Sequence, residues 1–335
     1  MERRAVDRQI DNDDVRIRPQ RRGTRPRTKQ RPRHEDAAAG LVVAVDRGRY
    51  TCLVDNADGQ VSVTAMRARE LGRKSVAVGD RVAIVGDLSG GPDALARIVR
   101  IEPRKTVLRR TADDTDPYER VLVANADQMV IVVAIADPPP RTGLIDRCLV
   151  AAFAGGLDAL LCLTKSDLAD PTELRSTYAE LGVAVLQTRH DEDPVELREA
   201  LRGRISVLVG HSGVGKSTLV NRLVPGADRA VGVVSGIGKG RHTSSSAIAL
   251  PLPEGGWAVD TPGVRSFGLA HVRPDDLLAT FQDLAPGAEE CPRGCDHSGP
   301  EVECALDAWV AAGHSSVDRL ASYRRLLAAL RSEDA

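Results

Sequence analysis

Three changes of pattern predict an α/β domain with a doubly wound sheet, preceded by a small β-barrel and followed by a helical domain. From Gly40 to Ile101 apolar and polar residues alternate. From Gln128 to Val209 short apolar runs alternate with helical patterns. Past Phe267 that rhythm stops, and a cluster of cysteines with a histidine follows. The 335 residues accommodate this, at roughly 100–200 residues per domain. With 42% apolar and 28% charged residues, the composition is that of a soluble globular chain. No stretch approaches the ~18 consecutive apolar residues of a membrane-spanning helix. MERRAVDRQIDNDD at the N-terminus lacks the apolar segment of a secretory signal, so no such signal is expected. Six cysteines are too few for a disulfide scaffold, so a cytoplasmic location is expected, where close-set cysteines bind metal. Aromatic residues are only 3%, which weighs against a surface built to stack bases.

Residues 1–37 are too poor in large apolar side chains to offset the entropy of ordering, and are read as a disordered basic tail. Nine basic residues and no acid lie from Arg16 to Arg33. Residues 1–36 sum to +5, leaving −6 for the rest of a chain with net charge −1. A basic arm on an acidic body fits contact with a polyanion, and equally a solvated tail. Residues 38–104 are read as the barrel. Leu41, Val43 and Val45 alternate with their neighbours, then Tyr50, Cys52 and Val54, then Val61 and Val63, with turns at Asp46–Gly48 and Asp58-Gly59. Strands at Asp80–Val85 and Ala94–Ile101 complete about five, an OB-fold or SH3-like set. Residues 105–120, polar and containing Pro117, are read as a linker.

Residues 121–272 form the α/β domain. Apolar runs at Gln128–Ala136, Leu157–Leu163, Val183–Leu186 and Ile205–Val209 fit parallel strands buried on both faces. Helical patterns at Gly143–Ala154, Pro171–Leu181 and Pro194–Arg202 lie between them, and strands at Ala247–Leu252 and Trp257–Val259 follow. Residues 273–335 open with a helix at Pro274–Leu284. They close with one in which Val317, Leu320, Tyr323, Leu327 and Leu330 recur at helical spacing. Arg319, Arg324, Arg325 and Arg331 on that last helix are read as a solvated face, with phosphate contact as the alternative. Cys52, Cys148 and Cys162 sit in apolar patterns and are read as core.

The run Gly210-His211-Ser212-Gly213-Val214-Gly215-Lys216-Ser217-Thr218 matches G-x-x-x-x-G-K-[ST], between the strand Ile205–Val209 and an expected helix Ser217–Leu223. Its glycines let backbone N–H groups turn inward around phosphates. Lys216 is placed to bridge the β and γ phosphates, and the Ser217 hydroxyl to bind Mg²⁺. His211 is expected to contribute only its backbone. Asp260-Thr261-Pro262-Gly263 ends an apolar strand, where a carboxylate can hold Mg²⁺ through water and the Gly263 N–H can sense a γ-phosphate; a plain strand-end turn is the alternative. Thr164-Lys165-Ser166-Asp167 follows another strand and is similar to the N-K-x-D guanine-reading motif. Asp167 can accept from guanine N1–H and the exocyclic amine, a pairing adenine does not offer. The Lys165 stem would cover the base. Thr164 keeps a hydroxyl where Asn would supply an amide. A loop lysine with a helix-capping aspartate is the alternative reading.

The order of these motifs is informative. The base-reading segment precedes the phosphate loop, and Asp260–Gly263 comes last. All three fall at strand ends, where an open α/β sheet builds its site, and circular permutation preserves such a site.

With this permuted order, the segment Lys239-Gly-Arg-His-Thr-Ser244 and the run Asp260-Thr-Pro-Gly-Val-Arg265, the chain resembles the ribosome small-subunit-dependent GTPase family RsgA (YjeQ) over roughly residues 38–330. The resemblance implies an OB-fold, a circularly permuted GTPase domain and a zinc-binding domain in series. It implies binding of GTP and GDP, and a partner in the small ribosomal subunit and its rRNA during late assembly. It also makes Lys239–Ser244 the switch, with Thr243 as a second hydroxyl on Mg²⁺. Val264 stands where many GTPases carry a water-orienting glutamine, and the resemblance assigns that role to His242. A histidine can hydrogen-bond water near neutral pH, although contact with rRNA or solvent is the other reading of His242.

Cys291-x₃-Cys295-x-His297-x₆-Cys304 supplies three thiolates and an imidazole, a closed tetrahedral set for one structural Zn²⁺. The resembled family usually spaces these ligands Cys-x₄-Cys-x-His-x₅-Cys, so one gap is shorter and one longer with the span unchanged. The expectation is a monomeric GTP hydrolase switching on the ribosomal subunit, off the membrane. An RNA-binding module that senses the nucleotide with negligible turnover is the alternative, and a P-loop ATPase or small-molecule kinase a third.

Overall fold

Alternation gives each strand of the first domain one buried and one outward row. The computed structural model describes residues 34–57, 59–72, 75–110, 120–226, 247–261, 269, 271–299 and 303–331. Strands β1 (Ala38–Asp46), β2 (Arg49–Asn56), β3 (Gly59–Arg67), β4 (Arg81–Gly86) and β5 (Ala96–Ile101) follow in the order β1-β2-β3-β5-β4, and a β1–β4 pairing closes the barrel. β3 and β5 run parallel and the other pairs antiparallel, the OB-fold arrangement. Val42, Cys52, Val63, Ile84 and Ile98 fill its core.

The stretch read as a linker begins instead with a strand. β6 (Val107–Arg110) pairs antiparallel with β7 (Arg120–Ala124). Leu108 and Val123 are fully buried, so this pair belongs to the α/β core.

Beyond it lie β8 (Gln128–Ala134), α1 (Thr142–Ala154), β9 (Asp158–Thr164), α2 (Thr172–Ala179), β10 (Ala184–Gln187), α3 (Val195–Leu201), β11 (Ile205–Val209), α4 (Lys216–Leu223), β12 (Ile248–Pro251) and β13 (Trp257–Asp260). They form a sheet in the order β10-β9-β8-β11-β13-β12, parallel except for β12. Helices cover both faces, which is why the strands read as continuous apolar runs. Along β8, Met129, Ile131 and Val133 share a core with Ile145 and Leu149 of α1 and Tyr178 of α2. Val130, Val132 and Ala134 share one with Leu197 of α3 and Leu219, Val220 and Leu223 of α4.

The barrel is continuous with this sheet through β1 and β12, paired at Ala44 and Ile248. Gly79 sits at the junction with φ +87°, and a Cβ there would fall 1.9 Å from the Ala124 carbonyl oxygen, so only glycine fits. Next to it the fully buried Asp80 accepts from Ala77 N at 2.8 Å and from Arg104 Nε and Nη2 at 2.7 and 2.9 Å. Removing one partner of a buried pair strands the other charge. Asp80→Ala is therefore expected to cost about 3–5 kcal/mol, read as a lowered urea midpoint.

In the C-terminal domain the expected helix Pro274–Leu284 is broken. α5 (Pro274–Leu278) ends in tight turns, and α6 (Ala285–Ala288) follows. The Thr280 hydroxyl takes the Leu277 carbonyl at 2.7 Å in competition with the helix ladder. Leu277, Phe281 and Leu284 are nevertheless all buried, as their spacing requires. A helix the sequence reading did not place, α7 (Ala305–Ala311), precedes α8 (Val317–Arg331).

Three of the four arginines of α8 are half-buried rather than a solvated face, and all four are paired. Arg319 pairs with Asp283 at 3.2 Å, Arg324 with Asp307 at 2.7 Å, Arg325 with Asp146 of α1 at 3.2 Å, and Arg331 with Asp296 at 3.2 Å. Arg319, Arg324 and Arg325 are half-buried struts while Arg331 stays exposed, and Arg325 together with a bond from Arg147 to the Ala329 carbonyl (3.0 Å) ties α8 to α1. Cys52, Cys148 and Cys162 are buried and unpaired, and burial pushes each thiol up to about 12. No helix among the described residues is long and apolar enough to cross a membrane.

Candidate functional site

Strand β11 delivers the chain to Gly210 on the rim formed by the carboxyl ends of the parallel strands, and α4 carries it away. The turn closes at Gly215, whose φ of +89° is a left-handed conformation that costs glycine nothing. The helix therefore begins at Lys216 with its first N–H groups free to meet an anion. Ser217 and Thr218 are exposed there, while Leu219, Val220 and Leu223 anchor the helix below. The His211 ring turns back onto the Ser212 carbonyl at 2.9 Å, in keeping with a backbone role for this residue.

Two neighbours complete the rim. On one side β13 ends at Asp260, level with Leu208 of β11. The Lys216 amine contacts the Asp260 carboxylate and donates to the Thr261 carbonyl at 3.3 Å. The buried Thr261 hydroxyl donates to the Leu208 carbonyl at 2.7 Å and fixes the strand end. On the other side β9 ends at Thr164, which is buried. Its hydroxyl donates to the Val214 carbonyl at 2.6 Å, inside the phosphate loop, and lies 3.3 Å from the Val133 carbonyl. This side chain thus ties the Thr164–Asp167 segment to the phosphate loop. Lys165 has φ +56° and its amine donates to the Asp137 carbonyl. Asp167 is exposed on the rim. His242, Thr243 and Gly263, with the switch segment around them and Val264, lie outside the described residues, as does residues 1–33 of the basic tail.

Sequence reasoning missed the loop leaving β10. The Thr188 carbonyl lies against Ser166, accepting from Ser166 N at 3.4 Å and Oγ at 3.3 Å. Thr188 takes part through its backbone carbonyl, which any residue offers, so no residue-type pattern announces the contact.

The second cluster lies in the C-terminal domain. The ligand atoms of Cys291, Cys295, His297 and Cys304 all fall within 4.8 Å of one another. His297 Nδ1 is 3.5, 3.7 and 3.7 Å from the three sulfurs, and Cys291 and Cys304 Sγ are 4.0 Å apart. A tetrahedral ion with metal–sulfur bonds of about 2.3 Å and a metal–nitrogen bond of about 2.0 Å needs edges of roughly 3.5–3.8 Å, so the donors fit. The backbone turns through left-handed conformations beside the ligands, with φ +57° at His297 and +52° at Glu303. Arg324 Nε holds the His297 carbonyl at 3.1 Å, and Arg331 the Asp296 carbonyl at 2.8 Å.

The Thr164–Asp167 segment precedes the phosphate loop in the chain, yet their strands lie on one rim with only β8 between them. This defines a circularly permuted P-loop nucleotide-binding domain, here between an OB-fold and a Cys₃His domain. Residues 101–270 match the RsgA GTPase family. The small ribosomal subunit biogenesis GTPase RsgA of Pseudomonas aeruginosa is 39% identical over 291 residues, spanning 84% of this chain and 83% of that protein. Its namesake in Chlorobaculum parvum is 35% identical over 310 residues, spanning 88% and 99%. Among solved structures, YjeQ from Thermotoga maritima superposes with a TM-score of 0.63 at 28% identity, over 88% of this chain and 99% of that one. YloQ, a circularly permuted GTPase, shares the fold with a TM-score of 0.63 at 23% identity, over 90% and 98%. The chain belongs to the RsgA GTPase family and is a GTP-hydrolysing enzyme.

Proposed function

We propose that the protein hydrolyses GTP as a switch in late maturation of the small ribosomal subunit, with turnover stimulated by the subunit. The bond from Thr164 to Val214 supports the guanine reading, because it places the Asp167 loop beside the phosphate loop. The ribosomal setting comes from the relatives' names. Asp167 reads the N1–H and exocyclic amine, and Lys165 covers the base. Backbone N–H groups of Gly210–Thr218 and the start of α4 cradle the phosphates.

Lys216 neutralises charge developing on the γ-phosphate as water attacks and GDP departs. The phosphate takes the place of the Asp260 carboxylate at the Lys216 amine, which frees Asp260 toward a cation. Ser217, Thr243 and Asp260 are hard oxygen donors suited to hold Mg²⁺, which when bound neutralises phosphate charge. Gly263 senses the γ-phosphate through its N–H. His242 orients the attacking water in place of the residue Val264 cannot supply. Cys291, Cys295, His297 and Cys304 hold a structural Zn²⁺. The barrel, the basic arm and the zinc domain face rRNA, and the protein acts as a cytoplasmic monomer.

Steady-state GTP and ATP hydrolysis, with and without purified small subunits, tests this. GTP turnover is expected to rise about 10²–10⁴-fold with the subunit, the scale of engaging one positioned acid–base group, while ATP turnover stays low. His242→Ala should lose the stimulation and keep GTP affinity. Turnover that stays flat with saturating subunits would sink the ribosome-dependent switch.

A further inference from the structure

Arg222 fastens together two segments that lie far apart in the chain. It occupies the last turn of α4, the helix that begins at Lys216. Its Nη1 donates to the Arg189 carbonyl at 2.7 Å, and its Nη2 to the Glu192 carbonyl. Both carbonyls belong to the loop leaving β10. That loop starts at Thr188, whose N–H donates to the Leu163 carbonyl at 2.7 Å and whose carbonyl accepts from Ser166. Arg198 of α3 grips the same unit, donating to the Arg222 carbonyl at 2.8 Å and to the Asp193 carboxylate at 2.8 Å.

We propose that Arg222 is a positioning residue for guanine recognition. It sets the 188–193 loop against the segment that carries Ser166 and Asp167, and so couples the base-reading loop to the phosphate-loop helix. Asp167 is exposed, with no hydrogen-bonded or ionic partner among the described residues, so it takes its place from the backbone around it. That backbone leans on Thr188, and the loop that follows Thr188 leans on Arg222. A planar guanidinium suits this task, since its rigid fork reaches the two carbonyls from two separate nitrogens, where a lysine carries all its donors on one. The inference rests on the assignment of Thr164–Asp167 to the base.

The test compares Arg222→Ala, Arg222→Lys and Asp167→Ala with the wild-type chain. Two readouts are the dissociation rate of a fluorescent GDP and the preference for GDP over IDP, which lacks the exocyclic amine. Thermal melting of each variant reports folding. Arg222→Ala is expected to release GDP about tenfold faster, the scale of losing hydrogen bonds from a charged donor, and to lose part of its preference for GDP. Arg222→Lys should fall between it and the wild type. If Arg222→Ala does not fold, the lysine variant decides by the same two readouts. Were Asp167→Ala to lose the preference while the folded Arg222 variants keep both the wild-type preference and the wild-type release rate, the positioning role is overturned and the base assignment stands. Were Asp167→Ala to keep the preference, the base assignment fails and the inference with it.

Discussion

Lys216→Ala is expected to lower GTP turnover by about 10²–10³-fold, the scale set by removing one preorganised charge-stabilising donor. The structure adds a second consequence. The Lys216 amine contacts the Asp260 carboxylate across the rim. Without the lysine that carboxylate faces the incoming phosphates uncompensated. Like charges at about 4 Å repel by on the order of 4 kcal/mol at the effective dielectric near a protein surface. The alanine variant should therefore bind GTP weakly as well as turn it over slowly. Lys216→Ala/Asp260→Ala separates the two effects. It should regain part of the affinity by removing the repulsion and none of the turnover, since both the charge-neutralising group and a cation-holding carboxylate are gone. Fluorescent-nucleotide titration and phosphate release measure the two quantities. A Lys216→Ala variant that hydrolyses GTP at the wild-type rate would remove Lys216 from the chemistry.

Local, contiguous features of this protein were legible before its structure. The phosphate loop is one run of nine residues, and the β8 and β11 runs announce a sheet covered on both faces. The permuted order was legible too, because it is a matter of sequence position alone. What stayed hidden depends on partners far away in the chain. In sequence, Thr164 reads as a hydroxyl beside a base; the partner of that hydroxyl in the fold, the Val214 carbonyl, lies fifty residues on. The α8 arginines looked like a charged surface because their acids, Asp146, Asp283, Asp296 and Asp307, are scattered over other segments. Arg222 and the 188–193 loop meet through backbone carbonyls, which any residue can offer. The strand Val107–Arg110 is too short to show a period, and only the burial of Leu108 reveals its role.

Removing the metal from Cys291, Cys295, His297 and Cys304 is expected to open the ligand loop while leaving α8 in place. The competing terms decide this. Binding of a structural zinc contributes about 10–16 kcal/mol of folding free energy in small zinc domains. The loop Cys291–Ser298 has no large aliphatic or aromatic side chain of its own to replace it. Burial pushes the Cys304 thiol up to about 11, so without a cation it stays a neutral thiol. In contrast, α8 buries Leu320, Tyr323, Leu326 and Leu327 against the α/β core, at about 1.5–3 kcal/mol for each large apolar side chain. Arg325 and Arg319 hold it from the other side, with Arg325 also over the Tyr178 ring and Arg319 over that of Phe281. Hydrogen exchange after chelation should therefore show amides of Cys291–Ser298 losing protection while those of Leu320–Leu327 keep it. Cys291→Ser should reproduce the pattern, and elemental analysis of the intact protein should find one zinc per chain. Full protection of the ligand loop in demonstrably metal-free protein would show that the arginine struts alone fold it. Loss of protection in α8 as well would show that the metal site and the α1–α8 contact fold as one unit.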